Sequence, residues 1–469
     1  MTLDEFFTFN DNKFEEVIEN VSTDTRQKTE KGLFFALKGE KFDAHDYLPQ
    51  AVAQGCVAVV VDHLCETVEV PQLIVKDTRL ALGELAKWLK TEINPRTLAI
   101  TGSSGKTTVK EMTASILQQT AGDPEAVLFT NGNFNNDIGV PLTLLRLEPK
   151  HQFAVIELGA NHQGEIAYTT GLVRPDVALI NNVAAAHLEG FGSIEGVAEA
   201  KGEIYTGVPD QGICIMEQGY SDLYYKPFWD QQIGDSIIRL FSVTDRCADY
   251  YATDIQLTET GATFTLHSID DGRENYDGSI NEGKIKINLP YLGMHNVHNA
   301  LAAASLTLNV GANLEDIKAG LEQKSQVKGR LFPIQPCENL LLLDDTYNAN
   351  VDSLKAAVDV LKKYEAFRIL AVGDMAELGD NTQLCHQQVA DYVKSAELDA
   401  VASFGTQSAV ISEAVLGQHF TDKATMSDNL ATLIAEKLKD NQKVVLLAKG
   451  SRSMKMEDVI YSLKDKFVC

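Results

Sequence analysis

Thr101-Gly-Ser-Ser-Gly-Lys-Thr-Thr108 is the stretch on which the reading of this chain turns. It follows the apolar run 97–100 and precedes a helical pattern over 109–119. A strand, a glycine turn and a Lys-Thr pair opening a helix form a cradle for a nucleoside triphosphate. Backbone N–H groups and the helix N-terminus attract phosphate, Lys106 adds a point charge, and the Thr107 hydroxyl can reach Mg²⁺. Gly102, Ser103, Ser104, Gly105 and Thr108 complete the expected phosphate-binding set, with ATP as ligand. Ile100 stands where the strict P-loop pattern has glycine, so the loop reads as a shortened T-G-x-x-G-K-T form. A plain glycine turn is the alternative reading.

Outward from this loop, apolar segments at 153–158, 177–181 and 212–216 alternate with helical stretches, which predicts a parallel sheet covered on both faces. Residues 252–269 alternate around Glu259-Thr-Gly261 and, with 284–289, predict an antiparallel appendage; 299–308 predicts an alanine-rich helix. N-terminal to the loop, strands at 32–37 and 56–61 and a helix over 78–92 predict a small mixed α/β unit ending at Asn94-Pro95. Near 324–330 the pattern restarts, with strands at 340–344, 368–372, 400–404 and 443–448 in a second doubly wound unit that lacks G-x-G-x-x-G. The expected fold is therefore α/β in three domains: a small N-terminal one (1–95), a central parallel-sheet P-loop domain (96–323) and a C-terminal Rossmann-like domain (324–469). A length of 469 residues agrees with that number.

The bulk composition excludes more than it selects. Hydrophobic and charged fractions of 44% and 23% are those of an ordinary globular protein. A formal charge of −25, from 41 basic and 66 acidic residues, argues against nucleic-acid binding, since no basic patch offsets it. Seven scattered cysteines without C-x-x-C spacing suggest reduced thiols, no zinc site, no disulfide framework and a cytoplasmic protein. Met1-Thr-Leu-Asp-Glu-Phe-Phe is not expected to be a signal peptide, and no run is long enough to span a bilayer. A monomer is expected.

Several strand ends carry residues suited to chemistry at the loop. Glu157 in Val155-Ile-Glu-Leu-Gly-Ala-Asn-His162 is a natural Mg²⁺ ligand, a solvated or capping glutamate being the bland alternative. His187 follows the next strand and could hold a second metal, or simply be hydrogen-bonded. Lys201 in Glu-Ala-Lys-Gly-Glu, expected on a helix over 196–205, reads as a surface lysine unless metal ions lower its pKa enough for carbamate formation with CO₂. Asn296, at the start of the alanine-rich helix, could pair with adenine or serve as an N-cap. Arg330 could reach the γ-phosphate on domain closure, Asp345 could hold a ribose hydroxyl or the metal, and Lys449 suits the carboxylate of a small substrate.

In this order the strings resemble the Mur ligases of peptidoglycan precursor synthesis over essentially the whole chain. Ser22-Thr-Asp-Thr-Arg26, Gly32-Leu-Phe-Phe-Ala-Leu-Lys-Gly39 and Asp43-Ala-His-Asp46 resemble the domain that binds the UDP-sugar. Asn131-Gly-Asn-Phe-Asn-Asn-Asp-Ile-Gly-Val-Pro141, Asp344–Asn350 and Gly373-Asp-Met-Ala-Glu-Leu-Gly379 favour the branch that joins D-alanyl-D-alanine to UDP-N-acetylmuramoyl-tripeptide, and D-N-P-R of the diaminopimelate-adding branch is absent. Thr346, where Ser or Cys is usual, and Val351, where Pro is common, are mild departures.

The resemblance implies an ATP-dependent, ADP-forming ligase acting through an acyl phosphate, with Lys106, Lys201, His187 and Arg330 catalytic. It implies metal at Thr107, Glu157, His187 and a carbamylated Lys201, and adenine near Asn296 and Asn299. Thr130 and Asn131 would lie where substrate meets the second Mg²⁺. Asn348 and Lys449 would face the dipeptide, and Arg26 and Lys38 the UDP end. The rival ligases are the third-residue Mur ligase and folylpolyglutamate synthase; the rival of another class is a non-catalytic ATP-binding protein.

Overall fold

A computed structural model describes residues 17–39, 42–274, 280–324 and 327–467. The N-terminal segment from Met1, residues 325–326 of the predicted restart and Cys469 lie outside the described residues.

The first sheet has four parallel strands in the order Asn20–Ser22, Gly32–Phe35, Cys56–Val61, Gln72–Ile74. Alternate side chains point to opposite faces of a strand. Phe34, Val59 and Val61 accordingly pack with Leu48 on one face, and Phe35, Ala58 and Val60 with Leu82 on the other. Leu82 belongs to the helix Thr78–Ile93, capped by Asp77 accepting the Leu80 N–H and closed by Asn94 in the left-handed region at φ 47°. Its Ala86 packs into the next domain, so this helix joins the two.

The central sheet has nine strands. Arg96–Thr101 lies between Val177–Ile180 and Phe153–Glu157, and all its neighbours out to Ile237–Ser242 and Val127–Phe129 run parallel. Leu98, Ala99 and Ile100 are fully buried because helices cover both faces. Lys106–Ala121, Met294–Leu308 and Leu314–Leu321 pack on one side; Glu165–Val173 and Ile194–Gly202 pack on the other. The predicted antiparallel strands are present, Gly261–Glu274 pairing antiparallel with both Tyr250–Thr258 and Ile280–Leu289, and they extend the central sheet because Tyr250–Thr258 lies parallel to Ile237–Ser242.

The third sheet runs Phe332–Cys337, Leu340–Asp344, Val444–Lys449, Phe367–Gly373, Ala400–Phe404, Gln418–Phe420, parallel except for the first pair. The unpredicted strand Phe332–Cys337 contains Pro333 and Pro336, tolerable because it is an edge. Val351–Leu361 and Thr382–Ser395 cover one face, and Lys423–Lys439 and Glu457–Lys466 the other. Three α/β domains of this kind, two of them doubly wound, are what the sequence predicts. No described helix is long and apolar enough to cross a membrane.

Candidate active site

Ligands of open α/β sheets bind outside the carboxyl ends of strands, where successive helices leave on opposite faces. The central sheet has such points on both sides of Arg96–Thr101. Its own helix packs on one face, and the helices after Phe153–Glu157 and Val177–Ile180 pack on the other. In the third sheet the switch falls between Leu340–Asp344 and Val444–Lys449. The two crevices face each other across a cleft of about 1080 Å³, lined by Ser103 to Lys106, Glu157 and His187 from one side and by Arg330, Asn348, Glu377 and Arg452 from the other.

The phosphate loop is held from below. Gly105 takes φ 76°, and an added Cβ would lie 2.5 Å from Asn299 Oδ1 and 2.6 Å from Asn181 Nδ2, so only glycine fits. The Ser103 N–H donates to the Asn182 carbonyl (3.0 Å) and the Ser104 N–H to Asn182 Oδ1 (2.8 Å). This corrects the expectation that both serine amides face phosphate. The anion-binding donors left are those opening the helix Lys106–Ala121. Lys106 folds back onto the Gly102 carbonyl at 2.7 Å. Burial lowers its pKa, with Arg330 acting the same way and Glu157 opposing.

Behind the loop, amides form a relay. Asn181 Nδ2 donates to the Ser104 carbonyl and to Asn299 Oδ1, Asn299 Nδ2 to Asn296 Oδ1, and Asn296 Nδ2 to the Leu292 carbonyl. Asn296 is therefore no N-cap; Gly293 opens Met294–Leu308, five residues before the predicted start. Both asparagines line a second cavity of about 340 Å³ beside the loop, with Tyr291, His295 and His298. Burial takes both histidines down to about 4, so at neutral pH they are uncharged. Asn181 and Asn182 were not predicted site residues, although a doubled asparagine at a strand end was there to be read.

Glu157 is 2% exposed. Its Oε1 accepts from Asn135 Nδ2 at 2.7 Å, while Oε2 is buried with no hydrogen-bond partner. An orphaned carboxylate oxygen at a cleft wall fits a hard divalent cation. Lys201 leaves the helix Ile194–Gly202, shorter than predicted, and is 2% exposed. No hydrogen-bond acceptor meets it among the described residues, and its Nζ lies 5.9 Å from the Phe191 ring centre. Burial first, and Lys106 second, push its pKa well below the ordinary value, so the surface-lysine reading fails. His187 takes φ 53°, and its Nδ1 lies 2.6 Å from Glu377 Oε2 without lining up as a hydrogen bond. This contact spans the two domains, and the His187 ring holds the Glu377 carboxyl below its ordinary value against burial.

Across the cleft, Arg330 stacks 4.2 Å over the Tyr347 ring, with its Nε buried and unpartnered. Asp345 and Lys449, assigned separately to nucleotide and dipeptide, instead pair with each other at 2.7 Å. Lys449 also donates to the Asn348 carbonyl, and Asp345 Oδ1 accepts the Leu331 N–H. A buried lysine needs a counter-charge, so Lys449 is not a free cation for a substrate carboxylate. Asn348 does line the cleft.

Seven assigned residues line neither cavity: Gly102, the buried Thr107 and Lys201, and Thr130, Asn131, Arg26 and Lys38. Thr130 is fully buried, its hydroxyl accepting the Glu157 N–H and its carbonyl taking the Lys110 ammonium at 2.6 Å. Asn131 is exposed, and Gly132, Asn133, Asn135 and Asn136 line the cleft instead. Arg26 pairs locally with Asp24, and Lys38 with Asp43 at 3.4 Å. Asn135 and Glu377 were quoted within motif strings but given no role; their neighbours across the fold, not their sequence, mark them out.

The Mur ligase family, catalytic domain matches residues 17–88, the Mur ligase middle domain residues 100–307, and the Mur ligase, glutamate ligase domain residues 329–452. The chain belongs to the Mur ligase family. It is 63% identical over 452 residues to the UDP-N-acetylmuramoyl-tripeptide–D-alanyl-D-alanine ligase of Haemophilus influenzae, covering 96% of this chain and 95% of that one. The Escherichia coli ligase of the same name is 51% identical over 453 residues, covering 96% and 95%. A crystal structure of MurF from Acinetobacter baumannii superposes with a TM-score of 0.87 at 38% identity, covering 97% and 95%. The matched domains of this Mur ligase follow its three sheets, and the cleft lies between the middle and glutamate ligase domains.

Proposed function

We propose that the protein joins D-alanyl-D-alanine to UDP-N-acetylmuramoyl-tripeptide with hydrolysis of ATP to ADP and phosphate, giving the pentapeptide nucleotide of peptidoglycan synthesis. One observation carries the reading at the level of the site: the phosphate loop, an orphaned buried carboxylate and an unpaired arginine from the opposite domain meet in one cleft.

The helix-opening amides after Gly105 receive the phosphates, and Lys106 exchanges the Gly102 carbonyl for a phosphate oxygen. Adenine enters the cavity beside Asn296 and Asn299, whose amides offer both donor and acceptor. The substrate carboxylate attacks the γ-phosphorus, ADP leaves, and an acyl phosphate results. The free amine of the dipeptide then attacks the acyl carbon and phosphate departs. Arg330 supplies positive charge to the transferring group, and with Lys106 it positions and neutralises rather than reacting covalently. Glu157 Oε2, His187 and the Thr107 hydroxyl would hold Mg²⁺, which offsets phosphate charge. Burial favours the unprotonated form of the Lys201 amine, which can take up CO₂ with loss of a proton, and the carbamate would add an anionic ligand to that edge.

Residues 1–95 take the UDP-sugar, residues 96–323 ATP, and residues 324–469 the dipeptide, for which Asn348 and Arg452 are the cleft-facing groups. Six described cysteines are free, in keeping with a cytoplasmic location, and a monomer is proposed. ADP release measured with the nucleotide tripeptide and a panel of acceptors tests the reading. D-alanyl-D-alanine should stimulate it; stimulation by glutamate or a diamino acid instead would reassign the acceptor, and none at all would leave an ATP-binding protein.

A further inference from the structure

The N-terminal domain carries a side-chain cluster away from the residues that line the cleft, part of it on the Asp43-Ala-His-Asp46 string. Strand Cys56–Val61 ends directly at Asp62-His63, and the short 3₁₀ turn Ala44–Tyr47 brings His45 beside them. The ring of His45, 6% exposed, is fixed on one side by Asp43. Asp43 Oδ1 lies 2.5 Å from His45 Nδ1 and also accepts the His45 N–H at 3.0 Å.

With Asp43 Oδ1 on Nδ1 and a backbone N–H donated to Nε2, the ring carries its lone pair on Nε2. That nitrogen faces Asp62, whose Oδ1 lies 3.2 Å away and whose backbone N–H donates to it at 3.1 Å. The same Asp62 Oδ1 touches His63 Nδ1, and the two imidazoles stack with centres 4.8 Å apart. His45 Nε2, an Asp62 carboxylate oxygen and His63 Nδ1 thus all fall within 4.8 Å of one another. Ligands about 2 Å from a tetrahedral ion stand roughly 3.3 Å apart, so the exposed His63 ring has to turn out of its stack and part from Asp62 Oδ1 for the three atoms to meet one centre. Cys65 turns its Sγ to the His63 carbonyl and stays outside the set.

We propose that His45, Asp62 and His63 form a binding site for a divalent transition metal of the zinc type, with Asp43 as the carboxylate orienting His45. Two imidazoles and one carboxylate select such an ion over Mg²⁺, and three protein ligands leave a fourth position for water or an anionic oxygen. On metal entry His45 Nε2 exchanges the Asp62 N–H for a coordination bond. The carboxylate–histidine–metal arrangement is then complete, built from residues of the first domain alone.

The test uses the full chain stripped by a chelator and kept in excess Mg²⁺, so that the catalytic cleft does not compete. Zn²⁺ is titrated by calorimetry and Co²⁺ by its visible absorption. One Zn²⁺ site is expected, with a four-coordinate Co²⁺ spectrum. His63→Ala removes an exposed ligand without disturbing the fold; it should abolish the Co²⁺ spectrum and weaken Zn²⁺ by at least about tenfold, with ADP release in Mg²⁺ unchanged. Asp43→Asn, which touches no metal and loosens His45 along with the Lys38 contact, should weaken Zn²⁺ by about 10–100-fold. Absence of a Zn²⁺ site, or Zn²⁺ binding that His63→Ala and Asp62→Asn leave unaltered, overturns the assignment and leaves a hydrogen-bonded histidine pair.

Discussion

The two walls of the cleft are built on opposite electrostatic terms. On the central-domain wall, charged groups are buried without partners: Glu157 Oε2 has no hydrogen bond, and Lys201 meets only an aromatic ring and the repulsion of Lys106. On the third-domain wall the buried charges answer one another. Lys449 and Asp345 form an ion pair, Asp344 takes the Thr346 hydroxyl and N–H, and the Asp374 carboxylate collects the N–H groups of Thr406, Gln407 and Ser408. Unsatisfied buried charge costs stability and is expected where a ligand completes it; satisfied charge fixes geometry. The difference teaches that one wall awaits ions and phosphates while the other is a finished surface that shapes the remaining space. Arg330 is the exception on its side, with a buried unpartnered Nε, and it is the residue proposed to reach the phosphates.

Removing the cation that faces phosphate tests the contrast most severely. Lys106 makes one hydrogen bond, to Gly102, so Lys106→Ala should leave the fold intact and lower acceptor-stimulated ADP release by about a thousandfold. Turnover within tenfold of the parent would show that the loop does not carry the chemistry.

On the finished wall the effect should fall on stability. Lys449→Met strands Asp345 as a buried, unpaired carboxylate, at a cost of about 3 kcal/mol in denaturant unfolding. Pairing it with Asp345→Asn should recover most of that loss. Equal destabilisation by the single and double variants would mean that the ion pair is not what holds this wall.

Lys201→Met should do the reverse, raising the thermal midpoint by an amount equivalent to about 1 kcal/mol while abolishing ligation. The sign follows from its lowered folded-state pKa. Between that value and the ordinary 10.5, the unfolded chain binds more protons, so the parent gains stability as pH rises and the advantage of the variant shrinks. Added bicarbonate should not restore activity to the variant. A midpoint that falls, or an advantage that grows with pH, would mean that Lys201 is paired in solution.

How far the sequence could be read follows the same division. Strand cores such as residues 97–100 announce themselves as apolar runs because both sheet faces are covered, and Asp77 and Asn94-Pro95 mark their helix from both ends. Glu157, His187 and Arg330 were legible as cleft residues because the loop fixed which strand ends matter. Partnership was not legible. Asp345 and Lys449 are 104 positions apart, and nothing local says that neighbouring strands bring them to 2.7 Å. Nor could spacing show that Asn182 occupies the amides of Ser103 and Ser104, or that Glu377 would cross to His187. The edge strand Phe332–Cys337 was hidden by its prolines.

The smallest effect should come from Arg26, which the resemblance places at the UDP end. Its guanidinium forms a bidentate-like pair with Asp24 two residues away, donating from Nε and Nη2, and it remains largely exposed to solvent. A local pair of this kind orders its own turn and adds little to the fold. It also means that the guanidinium already has a carboxylate, so a nucleotide phosphate would have to displace Asp24 to gain it. Arg26→Ala should therefore leave the KM for the nucleotide tripeptide unchanged, and the thermal midpoint with it. A rise in KM with kcat unaltered would show that Asp24 gives way when the nucleotide binds. In that case the first domain, like the central wall, would hold a charge in reserve for its ligand.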